Sequence, residues 1–133
     1  MKIVLDTNCL VAALPTNSPY HCVWEAFNNG DIILCFTTEI LEEYNEILAR
    51  FYSAHYAENV INMILNAPNA KRVTIYYHWH FIISDPDDDK FVDCAVSANA
   101  RFIVSNDRHF NVLKYVDFPK IEVCNIQNFA KMI

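Results

Sequence analysis

Short apolar runs alternate with amphipathic stretches along the whole chain. The apolar runs predict buried β-strands, because a strand covered on both faces is almost continuously hydrophobic; they lie at residues 2–5, 32–36, 73–77, 102–105 and 121–123. Helices are predicted from helical spacing and capping signals at residues 19–27, 38–51, 54–65, 88–100 and 110–115, and after Asn125. This alternation predicts βαβ units and an α/β fold, a three-layer α/β/α sandwich with a central, mainly parallel sheet.

Two helix boundaries carry clear signals. Ser18-Pro19 offers an N-cap followed by proline at the first helical position, and Gly30 can end that helix in the left-handed conformation. Thr37-Thr38 caps the strongest helix of the chain.

The chain has 133 residues, of which 53% are hydrophobic. This suffices for one globular domain, spanning residues 1–133. No apolar run approaches the roughly 18 to 20 residues that would cross a bilayer. Asp6 interrupts the N-terminal apolar run too early for a secretory signal. We therefore expect a cytoplasmic protein that does not enter a membrane.

The composition disfavours several kinds of site. Gly30 is the single glycine, and neither a Walker loop nor a dinucleotide-binding loop can be written with one glycine. The five cysteines are scattered without a CxxC pair, which favours reduced, mostly buried thiols over disulfides. His78 and His80 could bind a metal from one strand. With no thiolate partner at a suitable spacing, they are more typical of a strand surface.

The net charge of −6 argues at first sight against nucleic acid, because proteins that bind phosphate usually carry a basic surplus. The acids are concentrated, however, and the segment 85–89 holds four aspartates in five residues. If gathered carboxylates bind divalent cations, the local charge is reversed and phosphate can approach. A solvated acidic loop is the alternative, and composition does not decide between the two.

Two acids follow predicted strands. Asp6 comes directly after the first strand, and Asp107 comes after the fourth, behind Ser105-Asn106. Parallel strands present their carboxyl ends at one edge of the sheet, where ligands bind, so both acids are expected at that edge. Each is also typical of an ordinary turn.

Helical geometry selects two more acids. On the helix that starts at Thr38, Glu42 and Glu46 fall opposite the apolar stripe, whereas Glu43 lies at its flank and can lean inward. On the helix that follows the acidic run, Asp88 lies in line with the buried face and Asp93 points outward. The alternatives are a surface ion pair for Glu43 and a simple helix cap for Asp88.

If ligands bind at the carboxyl ends of the parallel strands, four carboxylates from distant segments are expected to converge there: Asp6, Glu43, Asp88 and Asp107. Bringing like charges together costs stability unless cations neutralise them. Oxygen ligands without paired histidine or cysteine suit Mg²⁺ or Mn²⁺. The sequence therefore predicts a metal site built from carboxylates.

Over nearly its whole length the chain resembles a PIN domain, the nuclease fold of many prokaryotic toxin–antitoxin ribonucleases of the VapC type. Four blocks carry the resemblance: an apolar strand before Asp-Thr-Asn at residues 1–11, the helix at 37–50, the acidic run with its helix at 85–95, and residues 103–110. The family's four acids fall on Asp6, Glu43, Asp88 and Asp107. Two of these, Glu43 and Asp88, are also the acids selected by helical geometry.

The resemblance implies a metal-dependent endoribonuclease that hydrolyses RNA phosphodiester bonds with Mg²⁺ or Mn²⁺. All four acids would serve as catalytic residues and metal ligands. Asn8 and Ser105 would orient the ligands, with a role in turn structure as the alternative. Arg50, Lys90 and Arg108 would hold substrate phosphates, with ordinary surface charge as the alternative. The resemblance also implies three partners: an RNA substrate, a small antitoxin protein and a second copy of the chain in a homodimer.

Two other functions remain open at this point. A receiver-like signalling domain also combines a parallel sheet, Mg²⁺ and an acidic pocket, but its first strand typically ends in paired acids, and here Thr7-Asn8 follow Asp6. A non-catalytic PIN-fold module that binds a protein partner is the second alternative. The intact acids at all four positions argue against it.

Overall fold

A computed structural model describes all 133 residues of the chain. Its centre is a five-stranded sheet in the order β3-β2-β1-β4-β5, and every neighbouring pair of strands is parallel. The strands are β1 Lys2–Leu5, β2 Ile33–Phe36, β3 Ala70–Arg72, β4 Phe102–Val104 and β5 Val123–Cys124. The predicted three-layer α/β/α sandwich with a mainly parallel sheet is confirmed.

Six α-helices and two 3₁₀ helices surround the sheet. The α-helices are α1 Thr7–Ala13, α2 His21–Asn28, α3 Thr38–Phe51, α4 Ala54–Asn66, α5 Asp89–Ala98 and α6 Ile126–Met132, and the 3₁₀ helices are Pro86–Asp88 and Arg108–Tyr115. Helix α5 packs across β1, β2 and β4, while α3 packs against α4 and α1. No helix in the structure has both the length and the hydrophobicity needed to cross a membrane.

Local capping explains why the best-predicted helices begin and end where they do. Thr37 accepts a hydrogen bond from the backbone N–H of Ile40 at the start of α3. Asn125 does the same for α6, accepting from the N–H of Asn128 at 2.8 Å. Gly30 has φ +81° just after the end of α2, the conformation that its lack of a side chain allows.

Several elements differ from the predictions. Helix α1 was not expected, because its short, largely apolar sequence carries no helical stripe. The start of α2 was predicted two residues early, since Ser18 accepts from the N–H of Tyr20 and donates to Ala12 instead of capping a helix. The last strand was predicted at 121–123, but pairing with β4 begins only at Val123.

The predicted strand at 73–77 is wrong, and the edge strand β3 lies just before it. Val73 donates to the carbonyl of Phe36, which is the last residue of β2. Beyond that bond the neighbouring chain turns into α3, so the following residues have no strand to pair with. Burial still alternates there, because Val73 and Ile75 pack on the core while Thr74 and Tyr76 are more exposed. The segment therefore has a strand-like pattern without being a strand.

The helices and sheet enclose one core cluster of 37 buried hydrophobic residues. Tyr44 on α3 is fully buried, and its hydroxyl donates to the carbonyl of Leu5 at the end of β1. This bond fixes α3 against the carboxyl end of the central strand. All five cysteines are free, and only Cys22 is exposed, as the sequence predicted.

Candidate active site

The chain reverses its direction across the sheet between β1 and β4. From β1 it proceeds outward to β2 and β3, and then it crosses back to β4 and β5 on the other side. In open parallel sheets such a reversal leaves a crevice at the carboxyl ends of the two central strands. Leu5 pairs with Val104 at those ends, so the next residues, Asp6 and Ser105, emerge side by side into the crevice.

Asp6 is held in place by its neighbour on β4. The hydroxyl of Ser105 donates to Oδ2 of Asp6 at 2.6 Å and accepts from the backbone N–H of Asp107 at 3.0 Å. Only 7% of Asp6 is exposed, and this burial raises the pKa of its carboxyl. The Ser105 hydrogen bond lowers that pKa, whereas the nearby charges of Asp107 and Glu43 raise it.

Glu43 reaches the same crevice from the second turn of α3. One carboxylate oxygen accepts from the hydroxyl of Thr7. The other lies 2.9 Å from the ammonium of Lys90, which also contacts Asp87 at 3.1 Å. The Lys90 side chain is only 6% exposed, and its two carboxylate partners raise its pKa against the effect of burial. Lys90 therefore stays charged and neutralises Glu43 from within the fold.

A second group of acids surrounds His109. Nδ1 of His109 lies 3.2 Å from Asp107, 3.5 Å from Asp88 and 3.7 Å from Asp85. Burial raises the pKa of the Asp88 carboxyl to about 7, with further increases from the charges of Asp85, Asp107 and Asp6. The carboxylates of Asp6, Asp85, Asp88 and Asp107 thus lie close enough to repel one another, and Asp88 ionises only near neutral pH.

Two buried atoms of this group face each other. Oδ2 of Asp88 and Nδ1 of His109 are inaccessible to solvent and lie 3.5 Å apart without meeting hydrogen-bond geometry. The ligand atoms of Asp85, Asp88 and His109 lie within 4.8 Å of one another. This set of two carboxylates and one imidazole fits a divalent cation, which would offset the carboxylate charges.

A cavity of about 270 Å³ opens onto the crevice. Asp6 and Asp107 line it, together with Asn8, Asn106 and Tyr20. Two of the four predicted acids are therefore accessible to a molecule that enters from solvent.

The charge of Asp6 interacts with those of Glu43, Asp107 and Asp88, and Ser105 contacts Asp6 and Asp107 directly. The group whose ligand atoms lie within 4.8 Å of one another is Asp85, Asp88 and His109, and of these only Asp88 was singled out from the sequence. Asn8 lies at the cavity, but its side chain is exposed and forms no hydrogen bond. Arg50 is paired with Glu46 at 3.0 Å on the exposed face of α3. Arg108 is exposed beside Asp107, with no ion-pair partner.

Three contributors to the site were not assigned from the sequence. Asp85 belongs to the acidic run, and His109 lies two residues after Asp107, so proximity along the chain was the available signal. Thr7 directly follows Asp6, but nothing in the sequence shows that its hydroxyl meets Glu43.

One orientation was predicted wrongly. Asp93 was expected to point outward, yet it is 2% exposed. Its oxygens accept from the N–H of Trp79 and contact Nδ1 of His78, both at 3.0 Å. The segment 78–82 covers the face of α5 that was taken for solvent-exposed. Asp93 and His78 are consequently structural partners, and they lie apart from the carboxylate cluster.

Comparison with known proteins agrees with this architecture. Among solved structures, VapBC2 from Rickettsia felis bound to a promoter DNA fragment is similar, with a TM-score of 0.63 and 14% identity over 94% of this chain and 98% of that chain. VapC20 from Mycobacterium tuberculosis, described as a sarcin–ricin loop cleaving toxin, has a TM-score of 0.63 and 12% identity over 86% and 97%. DNA-bound VapBC from Salmonella typhimurium has a TM-score of 0.60 and 17% identity over 95% and 98%.

At these identities the likeness concerns the fold alone. Comparison with curated protein sequences gives no match. The sequence itself provides the stronger result, because a family model described as a PIN domain matches residues 2–109. That match covers most of the chain and all four acids of the crevice, so the chain belongs to the PIN domain family.

Proposed function

We propose that this chain is a metal-dependent endoribonuclease and the toxin of a toxin–antitoxin pair. The observation that carries the proposal is the convergence of Asp6, Glu43, Asp88 and Asp107 at the sheet reversal. Membership of the PIN family and the VapC-type neighbours support it.

Asp6, Asp88 and Asp107 would hold a Mg²⁺ or Mn²⁺ ion, with Glu43 acting directly or through water and with Asp85 and His109 as further candidate ligands beside Asp88. A bound ion of this kind supplies an activated water and offsets charge on the phosphate. In the metal-free chain, the pKa of Asp88 is raised to about 7, so about half of the molecules carry a proton on this carboxyl at neutral pH. Binding a cation would release that proton.

The surrounding residues prepare the carboxylates for this task. Ser105 orients Asp6, and Thr7 and Lys90 fix the two oxygens of Glu43. The sequence suggested that Lys90 binds substrate phosphate, but its buried ammonium is engaged by carboxylates. We now assign it to holding Glu43.

Substrate phosphates would meet Arg108, whose exposed side chain follows Asp107. Arg50 is a weaker candidate because Glu46 pairs with it. The similar VapBC structures contain an antitoxin, which supports a small antitoxin as partner of this chain. We further propose a homodimer that acts in the cytoplasm, where RNA is accessible.

The receiver-like alternative does not fit the topology. Receiver domains have the strand order 2-1-3-4-5, whereas this sheet has β1 at its centre in the order β3-β2-β1-β4-β5. The non-catalytic binding module is tested by the experiment below.

The test is cleavage of a labelled RNA by the purified chain with Mg²⁺ or Mn²⁺. We expect Asp6→Asn and Asp107→Asn to reduce the rate by at least about a hundredfold. Glu42→Gln removes an exposed carboxylate beside Glu43 and is expected to leave the rate unchanged. Cleavage that persists in EDTA, or that survives both aspartate substitutions in folded protein, refutes the proposal. A wild-type chain that cuts no RNA but binds a protein partner supports the non-catalytic module.

A further inference from the structure

We propose that the cleft between the 3₁₀ helix Arg108–Tyr115 and strand β5 binds one unpaired nucleotide of the RNA, next to the bond that is cut. This inference rests on the proposed function and adds a nucleotide subsite, formed by residues outside the carboxylate cluster.

The position of the cleft carries the first part of the argument. Its volume is about 470 Å³, within the range of roughly 300 to 1,000 Å³ that is usual for pockets that enclose a small ligand. Asn106 and Asp107 line both this cleft and the smaller cavity that contains Asp6. A chain of nucleotides lying in the cleft therefore continues past Asp107 into the carboxylate cluster.

The distribution of charge carries the second part. The protein has a net charge of −6 and only ten lysines and arginines, yet Arg108, Lys114 and Lys120 all line this one cleft. None of the three forms an ion pair, whereas Arg101 is bound to Glu122 at 2.7 Å. Because Glu122 also lines the cleft, that pairing offsets its negative charge there. Unpaired cations next to a catalytic carboxylate suit the phosphates on either side of a nucleotide.

The lining also offers what a base needs. Phe110, Leu113 and Ile121 are buried and form an apolar floor. The exposed amide of Asn111 forms no hydrogen bond within the chain, so it is free to bind the edge of a base. Bases are accessible for such contacts when they are unstacked and unpaired, as in single strands and loops.

The test measures binding separately from cleavage. A short fluorescent single-stranded RNA is titrated with the protein in EDTA, and anisotropy gives the Kd at several salt concentrations. We expect the double variant Lys114→Gln, Lys120→Gln to raise the Kd about tenfold. The slope of log K against log salt should fall by about 1.4, since each neutralised phosphate of a single strand contributes roughly 0.7.

The matched control is Lys71→Gln, Lys131→Gln, which removes the same charge from two exposed, unpaired lysines outside the cleft. It should change the Kd less than twofold. Equal weakening by the two double variants would mean that net charge alone acts, and it would overturn the inference. Equal affinity of the wild type for an RNA duplex of the same length would show that the cleft does not require an unpaired nucleotide, and it would overturn that part of the inference.

Cleavage assays separate this inference from the proposed function. With a saturable RNA substrate, the cleft variant should raise KM about tenfold and leave kcat within about twofold. A wild-type chain that cuts RNA, together with a cleft variant that behaves like the control, refutes only the inference. A wild-type chain that neither binds nor cuts RNA refutes the proposed function as well.

Discussion

Replacing Asp88 by asparagine should stabilise the metal-free protein, and it should do so increasingly as the pH rises. The pKa of this carboxyl is raised from 3.8 to about 7 in the folded chain. The side chain is 14% exposed, and its titration is shared with the neighbouring carboxylates. The rise in pKa therefore corresponds to at most about 4 kcal/mol, at about 1.4 kcal/mol for each pH unit.

The sign follows from proton linkage. The folded chain holds the Asp88 proton more tightly than the unfolded chain, so ionisation favours unfolding. The penalty is absent below pH 3.8, grows between 3.8 and about 7, and is fully present above that range. Between pH 4.5 and 7.5, we expect the wild type to lose about 3 kcal/mol relative to Asp88→Asn.

The assay is urea unfolding in EDTA at half-unit steps of pH, with the free energy of unfolding extrapolated to water. The difference between Asp88→Asn and the wild type cancels the titration of distant groups. Glu42→Gln is the control, since that carboxylate is exposed, and its difference from the wild type should not vary with pH. Parallel stability curves for Asp88→Asn and the wild type from pH 4.5 to 7.5 would refute the reasoning that burial and repulsion destabilise this carboxylate.

Three further predictions each concern a single side chain. Ser105→Ala removes the hydroxyl that orients Asp6 and should lower the RNA cleavage rate about ten- to a hundredfold, with partial recovery in Ser105→Thr; an unchanged rate would contradict this. Lys90→Met leaves Glu43 without its ammonium partner and should lower the free energy of unfolding by about 3 kcal/mol, which urea unfolding measures, whereas Lys90→Arg should lose less. Cys22 is the only exposed thiol, so a thiol reagent should modify one cysteine rapidly in the native protein and all five in urea.

The parts of the fold that were predictable from sequence depend on local signals. Strand β1 is a short apolar run, and α3 combines a cap at Thr37 with a clear apolar stripe. Both features are decided within a few residues, and both were located correctly. The error at β3 has another cause, because strand formation needs a partner. Two of the three residues in Ala70–Arg72 are charged, but the segment lies beside β2, while the apolar segment after it extends past the end of β2.

The acids of the site were predictable for a related reason. Asp6 and Asp107 follow strands, and the topology of a parallel sheet fixes where strand ends meet. Glu43 was predictable because its angular position around the axis of α3 places it at the flank of the apolar stripe. The pairing of Lys90 with Glu43 was not predictable, because it depends on how α3 packs against α5. The same holds for His109, whose position among three carboxylates depends on the 3₁₀ helix that follows Asp107.

The packing of the segment 78–82 against α5 explains why the acids around this helix differ in role, some holding the segment and one lying at the site. A helical wheel identifies the side of a helix opposite its apolar stripe, but it does not show whether another segment covers that side. Here Asp93 accepts from the N–H of Trp79, and Asp89 accepts from the N–H of Ile82 at 2.8 Å. The backbone of the extended segment 78–82 has no neighbouring strand to bond with. The two carboxylates accept its N–H groups instead, and in this way they hold the segment against the helix. Asp88, one residue before α5, accepts nothing from that segment, and its buried Oδ2 faces Nδ1 of His109 at 3.5 Å instead.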